Sequence, residues 1–461
     1  MASPFPSPSL LSLFTLLSLL LTLSSPSTTQ TTITLSLSPP PKPPHTTPWQ
    51  RLTHLASSSI ARANHLKHPH KKNNSSPLSL TEIPLFPHTY GGYSVSLGLG
   101  TPPQTSSLLL DTGSSLVWVP CTSNYTCNEC DFPNINPTNI SAFIPKKSSS
   151  AKILGCKDPK CAWLFGSGVR SGNCTRDCPA YGVQYGSGST LGILLLETLE
   201  LPEKSVEDFV VGCSIISTRQ PSGILGFGRG LESLPAQMGL HKFSYCLVSH
   251  RFDDEPVSSK LTLTTGSHSG VTKTDGLSYT PFLKNKLGND SVFEDYYYVS
   301  LRKISVGGKH VSVPYDLLVP KSDGQGGTIV DSGTTFTFME GKVYEAVARE
   351  FERQMAQYSR EADVENQSGF RPCYNVSGVG EEVVFPALVF HFKGGARMEL
   401  PLADYFSVVG ESMAVCMTIV TDAGGDGGGP SIILGNYQQQ DFYLEYDLEN
   451  ERLGFRKQTC K

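Results

Sequence analysis

The first 81 residues contain no aspartate or glutamate, although the whole chain of 461 residues has 41 acidic side chains. What they carry instead is Lys42, Arg51, Arg62, Lys67, Lys71 and Lys72, together with five of the eleven histidines. Setting those six cations aside leaves 31 basic residues against the 41 acidic ones, so a basic leader precedes an acidic body. An acidic body is the wrong surface for a nucleic-acid partner, and none is expected. Long apolar runs are equally scarce. The one candidate, Leu10–Leu23, has 14 residues, which is short for a bilayer span and the right length for the core of a secretory signal. No Lys or Arg precedes it, which departs from the usual signal; Ser24, Ser25 and Ser27 offer cleavage sites. The C-terminal RLGFRKQTCK has no hydrophobic tail, so neither a transmembrane nor a GPI anchor is expected. The glycine-rich stretch Gly424–Pro430 lacks the lysine of a phosphate loop and reads as a surface loop.

Glycine (43 residues), proline (33 residues) and many short Val/Ile/Leu/Thr/Tyr runs are abundant, which points to a β-rich chain of two lobes. Twelve cysteines are present: Cys121, Cys127, Cys130, Cys156, Cys161, Cys174, Cys178, Cys213, Cys246, Cys373, Cys416 and Cys460. Seven of them crowd between Cys121 and Cys178. In an oxidising compartment they read as disulfides of undetermined pairing; a zinc cluster on Cys127-x-x-Cys130 is the competing reading. N-x-S/T sequons at Asn124, Asn139, Asn173, Asn289, Asn366 and Asn375 fit the same secretory route. We expect a signal peptide over residues 1–25, a basic pro-segment over 26–80, an N-terminal lobe with the cysteine-rich insertion over 81–275 and a C-terminal lobe over 276–461. Within the pro-segment, the Thr/Ser/Pro-rich stretch that follows the signal and contains Pro39–Pro48 reads as an extended linker. Trp49–His68 then places Leu52, Leu55, Ala56, Ile60, Ala63 and Leu66 at helical spacing; a poorly ordered basic arm is the alternative to an amphipathic helix that covers something acidic. The body starts near Pro77–Pro87, with a first strand at Tyr93–Leu99.

The chemistry lies in a repeat. LLLDTGSSLVWV at Leu108–Val119 is matched by TIVDSGTTFTFM at Thr328–Met339: an apolar strand runs into aspartate, hydroxyl residue, glycine and hydroxyl residue. Downstream of each lies an apolar-apolar-Gly element, SGILGFG at Ser222–Gly228 and SIILGNY at Ser431–Tyr437. Two elements recurring in one order imply two related lobes, each contributing one aspartate. Adjacent carboxylates cannot both ionise easily, so Asp111 and Asp331 would share a proton and act as base and acid on a water and an amide. Thr112, Ser114, Ser332 and Thr334 are the donors that would hold such a pair, with Gly113 and Gly333 allowing the tight turn. Neither a metal nor a cofactor is needed.

These motifs, with Tyr185-Gly-Ser-Gly-Ser and the cysteine-dense insertion, resemble the pepsin-like aspartic proteases, and within them the plant nepenthesin-like group. The resemblance implies an all-β, bilobal fold with the active-site cleft between the lobes and a catalytic dyad of Asp111 and Asp331. It implies that Thr112 and Ser332 cross-brace the two loops, and that Ser114 and Thr334 bind the outer carboxylate oxygens. Tyr185 and Gly186 would lie on a flap over the substrate, with the Tyr185 hydroxyl toward Trp118. The implied protein is a secreted (apoplastic, or alternatively vacuolar) monomeric acid endopeptidase made as a zymogen, its partners being polypeptide substrates and its own pro-segment. Falling pH would loosen that segment as body carboxylates protonate and leader histidines charge. The same fold also serves plants as non-catalytic inhibitors of microbial glycan-degrading enzymes, which is the second reading.

Overall fold

The computed structural model describes residues 31–38, 48–67 and 91–460, apart from 131–139, 171–173, 175, 186–187, 203, 221, 250–258, 266–272, 284–291, 323, 377–382, 411–413 and 423–427. The signal, residues 39–47 of the expected linker, the start of the body near Pro77–Pro87, residues 424–427 of the glycine-rich stretch, Asn139, Asn173, Asn289 and Gly186 therefore lie outside the described residues.

Strands dominate, and the sequence repeat is a structural repeat. In the N-terminal half, Ser94–Leu99, Gln104–Asp111, Gly223–Gly226 and Trp118–Pro120 lie side by side in that order. In the C-terminal half, Tyr298–Val299, Thr328–Val330, Ile432–Leu434 and Phe338–Met339 repeat the arrangement. In both, the strand entering the aspartate pairs parallel with the apolar-apolar-Gly strand: Leu110 opposes Leu225, and Val330 opposes Leu434. Leu108–Leu110, Gly223–Gly226, Thr328–Val330 and Ile432–Leu434 are buried on both faces, which is why they read as apolar runs, whereas the polar Gln104–Ser107 start of the first strand alternates with exposure.

The halves are joined by a 15-stranded sheet that carries Leu240–Cys246, Phe442–Asp447 and Arg452–Lys457 between them. The leader contributes a strand to it. Thr31–Ser38 pairs antiparallel with Ser259–Thr265 on one side and with Ser94–Leu99 on the other. The Thr/Ser-rich part of the leader before Pro39 is thus a sheet member and no linker; its alternating Ile33, Leu35 and Leu37 carry the period of a strand. The leader helix forms over Pro48–Lys67, and Gly341–Gln354 forms the amphipathic helix whose Val343, Val347 and Phe351 pack into the C-terminal core, followed by buried Met355.

All twelve cysteines are paired: Cys121–Cys213, Cys127–Cys130, Cys156–Cys174, Cys161–Cys178, Cys246–Cys460 and Cys373–Cys416. The insertion's seven cysteines have become disulfide partners, so the zinc reading has no thiolate to use. Cys246–Cys460 spans 214 residues and fastens the last residues of the chain to the inter-lobe sheet. Replacing both with serine should lower stability by roughly 2–5 kcal/mol. The check is the denaturant midpoint of the double variant; an unmoved midpoint would mean that this bridge constrains nothing.

Candidate active site

Asp111 ends its strand and Asp331 directly follows the last residue of its own, at the seam between the two repeats, and both are almost fully buried. The loops that follow are bolted together by a reciprocal pair of hydrogen bonds. The Thr112 amide donates to Ser332 Oγ at 3.1 Å, and the Ser332 amide donates to Thr112 Oγ1 at 2.9 Å. Each hydroxyl then donates into the opposite strand: Thr112 Oγ1 to the Val330 carbonyl at 3.2 Å, and Ser332 Oγ to the Leu110 carbonyl at 3.0 Å. Four buried hydrogen bonds thus fix one carboxylate relative to the other, in a place where an unpaired backbone group is costly.

Each carboxylate has the same local donors. The Gly113 and Gly333 amides donate to the inner oxygens Oδ1 of Asp111 and Asp331, both at 2.9 Å. Ser114 Oγ donates to Asp111 Oδ2 at 2.6 Å and Thr334 Oγ1 to Asp331 Oδ2 at 2.5 Å. Gly113 is required by close approach: a Cβ there would lie 2.6 Å from Asp331 Oδ1. Trp118 Nε1 donates to the Tyr185 hydroxyl at 2.8 Å. Burial, reinforced by the charge of Asp111, holds that phenol well above its ordinary pKa, so it stays neutral.

Between the carboxylates lies Arg62, from the leader helix. Its Nη2 is 2.6 Å from Asp111 Oδ1, and its Nε is 3.1 Å from Asp331 Oδ2. Burial works against the guanidinium charge, but the two aspartates outweigh it and the arginine is held more firmly charged than in water. Asp331 is pushed above its ordinary pKa, by burial first and by Asp111 next, with Arg62 opposing both. The helix rests on Leu52, Leu55, Ala56, Ala63 and Leu66, which pack with Tyr296, Phe336, Phe338 and Tyr437 of the C-terminal half. Ser59 Oγ adds an acceptor for the Phe336 amide at 2.7 Å. Sequence reasoning expected a basic segment over an acidic feature but assigned Arg62 no position. The available signal is its place on the buried stripe, between Ser59 and Leu66.

Asn124 and Asn366 are exposed, whereas the Asn375 side-chain amide donates to Glu361 Oε1 at 2.6 Å.

Two buried aspartates, presented symmetrically by two β lobes on Asp-hydroxyl-Gly-hydroxyl turns, define the aspartic-protease class of fold and site. Comparison with known proteins agrees. Family models described as Xylanase inhibitor N-terminal and Xylanase inhibitor C-terminal match residues 93–263 and 296–457. A probable aspartyl protease of Arabidopsis thaliana is 35% identical over 80% of this chain and 82% of its own length. Aspartic proteinase nepenthesin-2 of Nepenthes gracilis is 32% identical over 80% of this chain and 78% of its own. Among solved structures, EDGP superposes with a TM-score of 0.59 at 20% identity, covering 80% of this chain and 92% of that one. Soybean basic 7S globulin superposes with a TM-score of 0.56 at 16% identity, covering 80% and 93%. The chain belongs to the pepsin-like aspartic protease family, in its plant nepenthesin-like group.

The reciprocal brace should behave as one unit. Thr112→Val and Ser332→Ala should each cost about 1–3 kcal/mol through stranded buried backbone groups. The double variant should cost less than the sum by at least about 0.5 kcal/mol. Denaturation of the three variants checks this, and strict additivity would mean that the two hydroxyls act independently.

Proposed function

We propose that the protein is a secreted aspartic endopeptidase, made as a zymogen whose own leader occupies the catalytic dyad. The observation that carries the reading is the pair of buried carboxylates, each held by its own amide and hydroxyl donors and fixed to the other by the Thr112–Ser332 brace. With the leader gone, a water bound between the inner oxygens meets one ionised and one protonated carboxylate. The protonated member of the pair gives its proton to the carbonyl oxygen of the scissile amide. The ionised member takes the proton of the attacking water, and the tetrahedral product collapses with that proton passing to the leaving nitrogen. No covalent intermediate forms, because the water adds directly while the amide donors keep both carboxylates in place. Tyr185, neutral and fixed by Trp118, closes one wall of the site.

Arg62 accounts for latency. Its positive charge favours ionised carboxylates, so the dyad binds protons more readily once the leader has left. Release therefore takes up protons, and the latch is full at neutral pH and weakens as pH falls. Because Asp331 titrates above the ordinary aspartate value of 3.8, the weakening begins in mildly acidic solution. Secretion to the apoplast or delivery to the vacuole would supply that acidity, and the expected partners are polypeptides and the leader itself.

The second reading, a binding protein without catalysis, draws on the descriptions of the matching family models as xylanase inhibitor domains. The intact dyad favours the enzyme. Acid-incubated protein should cut an unfolded polypeptide, and Asp111→Asn should lower the rate by at least about a thousandfold. Folded, leader-free protein that cuts nothing between about pH 3 and 7 would remove the endopeptidase reading. Arg62→Ala strands two buried carboxylates, a loss of roughly 3–5 kcal/mol from the latched state. The full-length variant should then process itself and begin to cut the same substrate at a higher pH than the wild-type chain requires; a folded variant whose activation has an unshifted pH dependence would remove Arg62 as the latch.

A further inference from the structure

Arg62 is not the leader's one buried cation. Lys67, at the last residue of the leader helix, is 2% exposed, and lysine is almost never so deeply buried unless paired. Its Nζ lies 2.9 Å from Asp422 Oδ2 and 5.0 Å from the centre of the Phe338 ring. An acidic group over an aromatic face is a receptor for an alkylammonium or guanidinium head. Gly429 closes the wall beside it: a Cβ there would stand 2.2 Å from the Lys67 Cα, so only glycine lets the chain pass.

The pocket belongs to the body and is tied to the dyad. Phe338 follows Asp331 by seven residues, on the strand that leaves the catalytic loop. The segment leading to Asp422 is stitched to that strand, with the Val420 amide donating to the Thr337 carbonyl at 2.9 Å and the Met339 amide donating to the Val420 carbonyl at 2.9 Å. Its position depends on the same framework that positions Asp331. Lys67 is five residues beyond Arg62, which along a helix is about 7.5 Å. An extended substrate covers that distance in about two residues.

We infer that Asp422 and Phe338 form a substrate subsite selective for lysine or arginine about two residues from the scissile bond, which the leader fills with Lys67 while Arg62 fills the dyad. This inference rests on the endopeptidase reading for its setting, and departure of the leader leaves Asp422 beside Phe338 in a cleft that a basic side chain re-neutralises.

The test uses the full chain carrying an inserted protease site within residues 77–87; after the cut the leader is separated from the body in mild acid and its loss is checked by intact mass, so that removal does not depend on self-processing. Synthetic peptides with an apolar pair at the scissile bond carry either lysine or norleucine at the second residue before or after it. Cleavage gives kcat/KM, and fluorescence anisotropy on the Asp331→Asn variant gives Kd without catalysis. On one side of the bond, lysine should be favoured by roughly tenfold in both, the worth of one charge-assisted contact. Asp422→Asn should abolish that advantage, Asp422→Glu should retain it, and Asp422→Lys should shift the preference to glutamate at the same position. Cleavage without a lysine preference on either side, or a preference that survives in Asp422→Asn, overturns the subsite and leaves the endopeptidase standing. A lysine preference in binding with no cleavage supports the subsite and removes the endopeptidase. Protein that neither binds nor cuts the peptides removes both.

Discussion

A single guanidinium between two buried carboxylates sets the state of this molecule. Isolated, Asp111 and Asp331 would repel one another in a site with almost no access to water, and Arg62 would not enter an apolar interface. Together they satisfy one another at 2.6 and 3.1 Å. The Thr112–Ser332 brace makes this pairing specific, because it fixes the two carboxylates to one geometry before any cation arrives. The arrangement that makes two aspartates useful to a water also makes them a receptor for a fork of N–H donors.

The leader is built into the body at two further levels. Its strand Thr31–Ser38 supplies backbone partners to Ser259–Thr265 and Ser94–Leu99, joining sheet edges that would otherwise stand open. Its helix buries a leucine stripe against aromatics of the C-terminal half and ends with Lys67 on Asp422. In the proposed zymogen, the charge latch and the helix it holds would respond to acid, while the backbone pairing of the strand would not. On that proposal, proton uptake at the two aspartates would loosen the helix first, and removal of the strand would need a cut in the chain.

The dyad and its local donors were legible because they are local: Asp-Thr-Gly-Ser and Asp-Ser-Gly-Thr each place hydroxyl and amide within reach of their own carboxylate. The two-lobe fold was legible because the same pair of elements recurs in order. The leader helix was legible from its 3.6-residue period, but Arg62 was one of six leader cations, and its partner lies 269 residues away in Asp331. Thr31–Ser38 read as linker because its composition is Thr/Ser-rich, and its strand pairing comes wholly from partners far along the chain. Disulfide pairing was beyond reach for a related reason: twelve cysteines admit very many connectivities, and the fold alone chooses among them. Asp422 carries no motif at all; it becomes meaningful through the lysine that rests on it.

In the proposed latch, protonation of the two aspartates frees the helix that carries Arg62. Hydrogen exchange of the full-length chain, pulsed for seconds and corrected for intrinsic rates, measures this directly, with intact mass showing that no bond has yet been cut. Amides of the leader helix between Leu52 and Lys67 should be strongly protected at neutral pH and lose that protection in mild acid, while the strands at Leu108–Asp111 and Thr328–Val330 stay protected. A helix that remains as protected as those strands in acid would contradict the latch, because the aspartates would then take up protons without letting the leader go.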